Sequence, residues 1–212
     1  TVSPSTQQYE EGETATITAT ASSEYLFQSW SGATGSTNST SVIMNSDKNV
    51  IANFKETPFY LDENGVTIKA RDWVTAGTQG ELDGILYTAV DRTQLIQLLN
   101  NKQDVSKVVT SLITDLSYEY DTSPGVGLFK GTGNPDFNQD ISSWDVSNVT
   151  NMQALFLSDD NPQFNQDIGS WDVGKVTNME LMFQGQSVFN QDISNWNVSK
   201  VITMDHMFAN AE

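Results

Sequence analysis

Hydrophobic and polar positions follow two different rhythms along this chain. Thr14-Ala-Thr-Ile-Thr-Ala-Thr-Ala21 puts Ala15, Ile17, Ala19 and Ala21 on one side and threonines on the other, the alternation of a half-buried strand. Tyr25–Trp30, Ser41–Met44 and Asn49–Phe54 are further strand candidates. They are separated by a Gly/Ser/Thr/Asn-rich stretch over 32–40 and by the turn Asn45-Ser-Asp-Lys48. Residues 1–55 therefore read as a small all-β domain and 56–59 as a linker. Over 60–99 the pattern mixes a turn at Asp62-Glu-Asn-Gly65, strands near Val66–Ala70 and Ile85–Val90, and a helix. Asp91-Arg-Thr-Gln94 has the spacing of a capping box, and Leu95, Leu98 and Leu99 give the helix a buried stripe.

From there the chain repeats itself. Phe137-Asn-Gln-Asp-Ile-Ser-Ser-Trp-Asp-Val146 returns from Phe164 and again from Phe189, at intervals of 27 and 25 residues. Such a period indicates a solenoid, each unit burying its apolar edge only against its neighbours. Gln103-Asp-Val105 stands 36 residues before Gln139-Asp-Ile141, Ile113 before Val149 and Leu116 before Met152, whereas Leu128-Phe129 precedes Leu155-Phe156 by 27. A first, degenerate unit thus carries a nine-residue insertion around Tyr118–Gly127. The units fall at about 100–130, 131–157, 158–184 and 185–212, preceded by 60–99 as a cap. Because the chain stops just past a repeat's Met-Phe pair, the array reads as truncated.

Within each unit Ile141-x-x-Trp144-x-Val146 has a strand-like pattern, and Met152, Leu155 and Phe156 have helical i, i+3, i+4 spacing. Thr150, Thr177 and Thr203 fit the N-cap of that short helix, with Gln153 and Glu180 completing capping boxes. The expected fold class is α+β: a β-grasp-like N-terminal domain, then a capped leucine-rich-repeat-like solenoid of about four strand–helix units.

Charge narrows the partners. Ten basic and twenty-seven acidic residues leave −17, which opposes binding to nucleic acid or anionic membranes. No apolar run reaches the length of a membrane span, so no direct insertion is expected. There is no cysteine, and the single histidine, His206, has no nucleophile pattern beside it. No glycine-rich phosphate loop is present, so the expectation is a protein that is not an enzyme and has no cofactor, with Ca²⁺ possible.

Two resemblances rest on these residues. Glu11-Gly-Glu, Ile17-Thr-Ala, Tyr25-Leu-Phe-Gln-Ser-Trp30-Ser-Gly32 and Val42-Ile-Met-Asn-Ser-Asp-Lys-Asn-Val50-Ile-Ala-Asn-Phe54 together resemble the divergent internalin-type B repeat. The motif Phe-Asn-Gln-Asp-Ile-x-x-Trp-Asp-Val, continued by Thr150-Asn-Met, resembles the BspA-type leucine-rich-repeat surface proteins and their mycoplasma-lipoprotein-type repeats. These resemblances imply an extracellular or cell-surface bacterial protein concerned with adhesion, with a protein or glycan ligand. A carbohydrate-binding accessory region of a larger secreted enzyme, or a Ca²⁺-stabilised spacer, are the other expectations.

Candidate residues follow from the register. Trp144, Trp171 and Trp196 should point into the core, and Asn138, Asn165 and Asn190 should satisfy backbone groups between units. Asp104, Asp140, Asp167 and Asp192 form a row in which carboxylates ~5 Å apart would repel by about 3 kcal/mol, so backbone donors or a cation must offset them. Asp136-x-Asn138-x-Asp140 has calcium-loop spacing, though Ile141 stands where that loop needs Gly. The outward strand positions Ser143, Asp145 and Ser147, Ser170 and Asp172, and Asn195, Asn197 and Ser199 should line an open, hydrogen-bonding face. The insertion adds Tyr118, Tyr120 and Asp121 as binding candidates, since long loops concentrate such residues.

Overall fold

The computed structural model describes residues 1–212 apart from 23, 119–127, 132–135, 159–161 and 212, and only the backbone at 130 and 131. The chain divides into two compact units, Thr1–Thr57 and Pro58–Glu212.

The first unit is built from five strands: β1 (Val2–Ser3), β2 (Thr14–Ala19), β3 (Tyr25–Ser31), β4 (Ser39–Ile43) and β5 (Ile51–Glu56). β1, β2 and β4 make one antiparallel sheet and β3 and β5 a second. The alternation in β2 buries Ala15 and Ala19 while its threonines stay outside. Trp30 is buried and donates its indole N–H to the Thr37 carbonyl at 2.9 Å. Phe27 lies 5.2 Å from Trp30 and meets Phe54 edge-on at 6.2 Å. Gly32 turns the chain out of β3 with φ +81, and a Cβ there would collide with the Asn49 carbonyl. No helix occurs among the described residues of this unit. The expected small all-β domain is present, as two small antiparallel sheets.

The second unit opens with β6 (Phe59–Leu61) and β7 (Ile68–Ala70), an antiparallel hairpin. Its bend is closed by Asn64, whose Oδ1 accepts from the Val66 and Thr67 amides at 3.0 and 2.9 Å. β8 (Gln79–Leu82) pairs antiparallel with β9 (Ile85–Ala89), which pairs in parallel with β10 (Val108–Val109). Helix α1 (Arg92–Asn100) starts where expected, with Asp91 accepting from the Gln94 amide at 2.8 Å. The reciprocal half of that box is not made: the Gln94 Oε1 is buried without a partner. Leu95 and Leu99 join the array's own core, and so α1 closes its first coil.

Beyond β10 the described residues are largely without regular secondary structure, yet they are closely ordered as stacked coils. Isolated parallel bridges run Asp115–Asn151–Asn178–Thr203. The only helical turn among the array's described residues is α2 (Leu128–Gly131). The strand–helix unit expected from periodicity is thus corrected to a coil of successive tight turns. In the second coil the amides of Trp144, Val149 and Leu155 close turns onto the carbonyls of Ile141, Val146 and Met152 at 3.1, 2.9 and 3.2 Å.

Three local features prevent the helix. Asn151 and Asn178 accept from the amides two residues on, Gln153 at 3.1 Å and Glu180 at 2.9 Å, which bends the chain away from helical geometry. Ala154, Leu181 and His206 then take left-handed φ of 53, 61 and 58, closed to a right-handed helix. A seven-residue helix would also gain little on its own. The expected capping boxes at Gln153 and Glu180 therefore do not exist. The threonine row is corrected too. Thr150 and Thr177 donate their hydroxyls to the carbonyls of Thr114 and Thr150 at 3.2 and 3.1 Å. Their equivalent in the last coil is Ile202, because Ile202 donates its amide to Thr177 and Thr203 bridges Asn178.

The helical spacing nevertheless marked the right core. Met152, Leu155, Phe156, Met179, Met182 and Phe183 are all buried. Two rows of phenylalanine interleave along the stack. Phe129, Phe156, Phe183 and Phe208 follow each other at 5.2 to 5.4 Å. Phe137, Phe164 and Phe189 fit between them, 3.9, 4.0 and 4.4 Å from Phe129, Phe156 and Phe183. Residues 25 to 27 apart in sequence thereby become neighbours in one aromatic spine.

Candidate interaction surface

The recurring residues are used to join one coil to the next. Trp144, Trp171 and Trp196 lie in the core as expected, each donating its indole N–H to a carbonyl of the preceding coil. The acceptors are Val105, Ile141 and Ile168, at 3.0, 3.1 and 3.1 Å. Asn138 and Asn165 accept from the backbone amides of Asn165 and Asn190 at 3.0 and 2.9 Å. Gln166 and Gln191 donate to the backbone carbonyls of the same two asparagines at 3.0 and 3.1 Å. Apolar contact and polar satisfaction therefore coincide at every junction.

The aspartate row is held by local donors. Asp104, Asp140, Asp167 and Asp192 accept from the amides of Ser106, Ser142, Gly169 and Ser194 at 2.8, 3.0, 2.9 and 2.9 Å. The Ser106 hydroxyl, then its amide, lowers the pKa of Asp104; for Asp192 the Ser194 amide comes first and its hydroxyl second. Of the candidate calcium residues, Asp136, Asn138 and Asp140 are exposed. The Asn138 Oδ1 is taken by Asn165 and Gln166, and the Asp140 Oδ1 by Ser142. Among the described residues no three carboxylate or imidazole groups converge as a metal ligand set would.

The expected outward face is not uniformly open. Asp145 is buried, with 3% exposure, and this placement corrects its assignment to the solvent side. The cause is the β6–β7 hairpin, which lies along the second and third coils: Ile68 donates its amide to the Ser143 carbonyl at 2.9 Å and Asn64 donates its side-chain amide to the Ser170 carbonyl at 3.3 Å. The Thr110 hydroxyl donates to the Asp145 carbonyl from beneath at 3.0 Å. Lys69 pairs with Asp62 at 2.9 Å. Burial works against its charge, but the Asp62 bond and the nearby Asp145 carboxylate outweigh that and raise its pKa.

Ser143, Ser147 and Ser170 are half-buried, whereas Asp172, Asn195, Asn197 and Ser199 are exposed. Asp145, Asp172 and Asn197 also close turns by accepting from the amides of Ser147, Gly174 and Ser199 at 3.1, 3.0 and 3.2 Å. The accessible part of the face is therefore Asp172 and the last coil. Tyr118 is half-buried against the core, its amide donating to the Gln153 carbonyl at 3.1 Å. Tyr120 and Asp121 lie outside the described residues. Trp73, 55% exposed, sits in no repeat and no periodic segment, so no sequence pattern marks it.

Residues 90–212 match the family described as "Mycoplasma protein of unknown function, DUF285", and residues 1–58 match the divergent InlB B-repeat domain. The chain belongs to the DUF285 family. No curated protein and no solved structure matches it. The pairing of a DUF285 region with an InlB-type B repeat is a domain composition typical of bacterial surface repeat proteins. No described helix is long and apolar enough to cross a membrane.

Proposed function

We propose that this DUF285 protein is a non-enzymatic bacterial surface protein whose repeat array acts as a solenoid scaffold for binding or adhesion. The carrying observation is the division of labour within the repeat. The recurring Trp side chains are bonded inside the stack and the recurring Asn, Gln and Asp side chains are engaged with backbone groups at its surface, while small polar residues occupy the accessible turns. Asp172, Asn195, Asn197 and Ser199 offer amides, hydroxyls and one carboxylate, chemistry suited to a partner's backbone or to sugar hydroxyls.

Nucleic acid and membrane lipid are the wrong electrostatic class for a chain of charge −17. The engagement of Asn138 and Asp140 weighs against the calcium spacer. The test is a glycan array alongside a pull-down with host or cell-surface protein, comparing the natural chain with an Asn195→Ala/Asn197→Ala/Ser199→Ala variant. Retention of a ligand by the natural chain and its loss in the variant support the proposal. A ligand held equally by both variants moves the site off this face.

A further inference from the structure

The first unit contains a cleft that its two sheets leave open. It runs between the chain at 2–13 and the turn at 44–50, as two hollows that share Gln7, Tyr9 and Met44. The inner one, about 380 Å³, has an apolar floor, with Ala15 buried and Val2, Ile17, Met44 and Val50 half-buried, under an exposed polar rim. The outer one, about 840 Å³, is acidic: Glu10, Glu11, Glu13 and Asp47 line it, and no Lys or Arg does. Lys48, on the inner rim, is the single cation lining either hollow among the described residues. Hollows of roughly 300–1,000 Å³ are the usual size for a bound ligand.

Two kinds of group in this cleft stand unused. The Glu13 carboxylate accepts from the Glu10 amide at 2.8 Å, but those of Glu10, Glu11 and Asp47 are exposed and have no ion pair or hydrogen bond among the described residues. The backbone amides of Thr6, Gln7, Gln8 and Tyr9 along one wall, and of Lys48 and Asn49 along the other, likewise donate to nothing among the described residues. Both walls lie outside the strands, so no sheet ladder claims these groups.

We infer that this cleft docks an extended basic peptide of a partner protein, which seats one apolar side chain over Ile17 and Met44 and lays flanking Lys or Arg side chains against Glu10, Glu11 and Asp47. Each feature specifies part of that occupant. The apolar floor takes the anchoring side chain, and the carboxylates favour cations on either side of it. The free amides suit main-chain carbonyls, which an extended peptide presents along its length. A purely apolar ligand would leave the carboxylates unmatched, and an anionic one would be repelled by them. The cleft lies wholly within the first unit, apart from the array face of the previous section, and does not depend on it.

The probe is a capped Lys-Lys-Leu-Lys-Lys peptide titrated into the full chain and followed by amide NMR shifts. Saturable shifts should appear at residues 6–9 and 44–50, ahead of any in the array. A peptide with Ser in place of Leu should bind about tenfold more weakly, which tests the apolar anchor without altering the protein. The Glu10→Gln/Glu11→Gln/Asp47→Asn variant should weaken binding by about tenfold, and Lys48→Gln should strengthen it by about twofold, all at exposed positions that leave the fold intact. Shifts spread evenly over the acidic surface, equal binding of the Leu and Ser peptides, or an unchanged affinity in the triple variant would each overturn the inference. So would shifts at this cleft with a glucosamine oligomer and none with the peptide, which would give the cleft to a sugar.

Discussion

The two units of this protein meet the same requirement, pairing their backbone polar groups, by different means. In residues 1–57 strands pair side by side through antiparallel ladders, and the side chains pack with only one buried indole, Trp30. Among the array's described residues regular strands are nearly absent. Pairing runs instead through turns stacked coil upon coil, with Asn, Gln and Trp side chains making bonds that a sheet would leave to the backbone. The difference shows in what recurs: the array can repeat long polar motifs because its polar side chains are structural, whereas the sheets require only alternation.

Substitutions can probe this contrast. Trp171→Ala removes a large buried ring together with the donor to Ile141, and should destabilise the array by about 3–5 kcal/mol, read from the array's amide NMR signals, while the amide signals of β2 and β4 report an unchanged transition in the first unit. Urea titration followed by both signals checks this, and a common shift would mean that the units do not unfold separately. Asn165→Ala should cost about 1–3 kcal/mol because the Asn190 amide loses its acceptor. Asn190→Ala, whose Oδ1 has no donor among the described residues, should be near neutral, and equal losses would contradict the ladder reading.

Trp30→Phe, which loses the bond to Thr37 and part of a buried ring, should cost about 1–2 kcal/mol, confined to the first unit. A smaller effect of opposite sign is expected from His206→Gly. Relief of a left-handed, exposed residue outweighs the added chain entropy by roughly 0.5 kcal/mol, read as a small rise in the array's denaturation midpoint. Acid should act most gently. The pKa values of Asp104 and Asp192 are lowered in the fold, so their contribution is present above the ordinary value of 3.8 and is lost as pH falls through the lower folded value. Replacing both by Asn should flatten the acid limb of a stability profile, and an unchanged limb would place the sensitivity elsewhere.

The repeat period made the stacking legible, down to the offset of 36 residues at which Asp115 bridges Asn151. The core was legible because helical spacing and a left-handed turn both bring Met152, Leu155 and Phe156 inward. For the same reason the local conformation was not: periodicity reports which residues face inside, and two backbones can produce one pattern. The decisive signal was the asparagine after each threonine, at 151 and 178, which favours a turn over a helix. The covering of Asp145 was out of reach, since Ile68 and Asn64 come from a hairpin far away along the chain.

Each indole reaches back to the coil made before it, and this gives the array a direction of dependence. Removing coils from the C-terminal side uncovers backbone amides and carbonyls that water can serve, leaving the earlier tryptophans with their partners. Removing the first coil takes the Val105 carbonyl from Trp144 and the buttress from everything that follows. The molecule tolerates loss from one end in a way that it cannot from the other, much as a wall survives the loss of its top course but not of its footing.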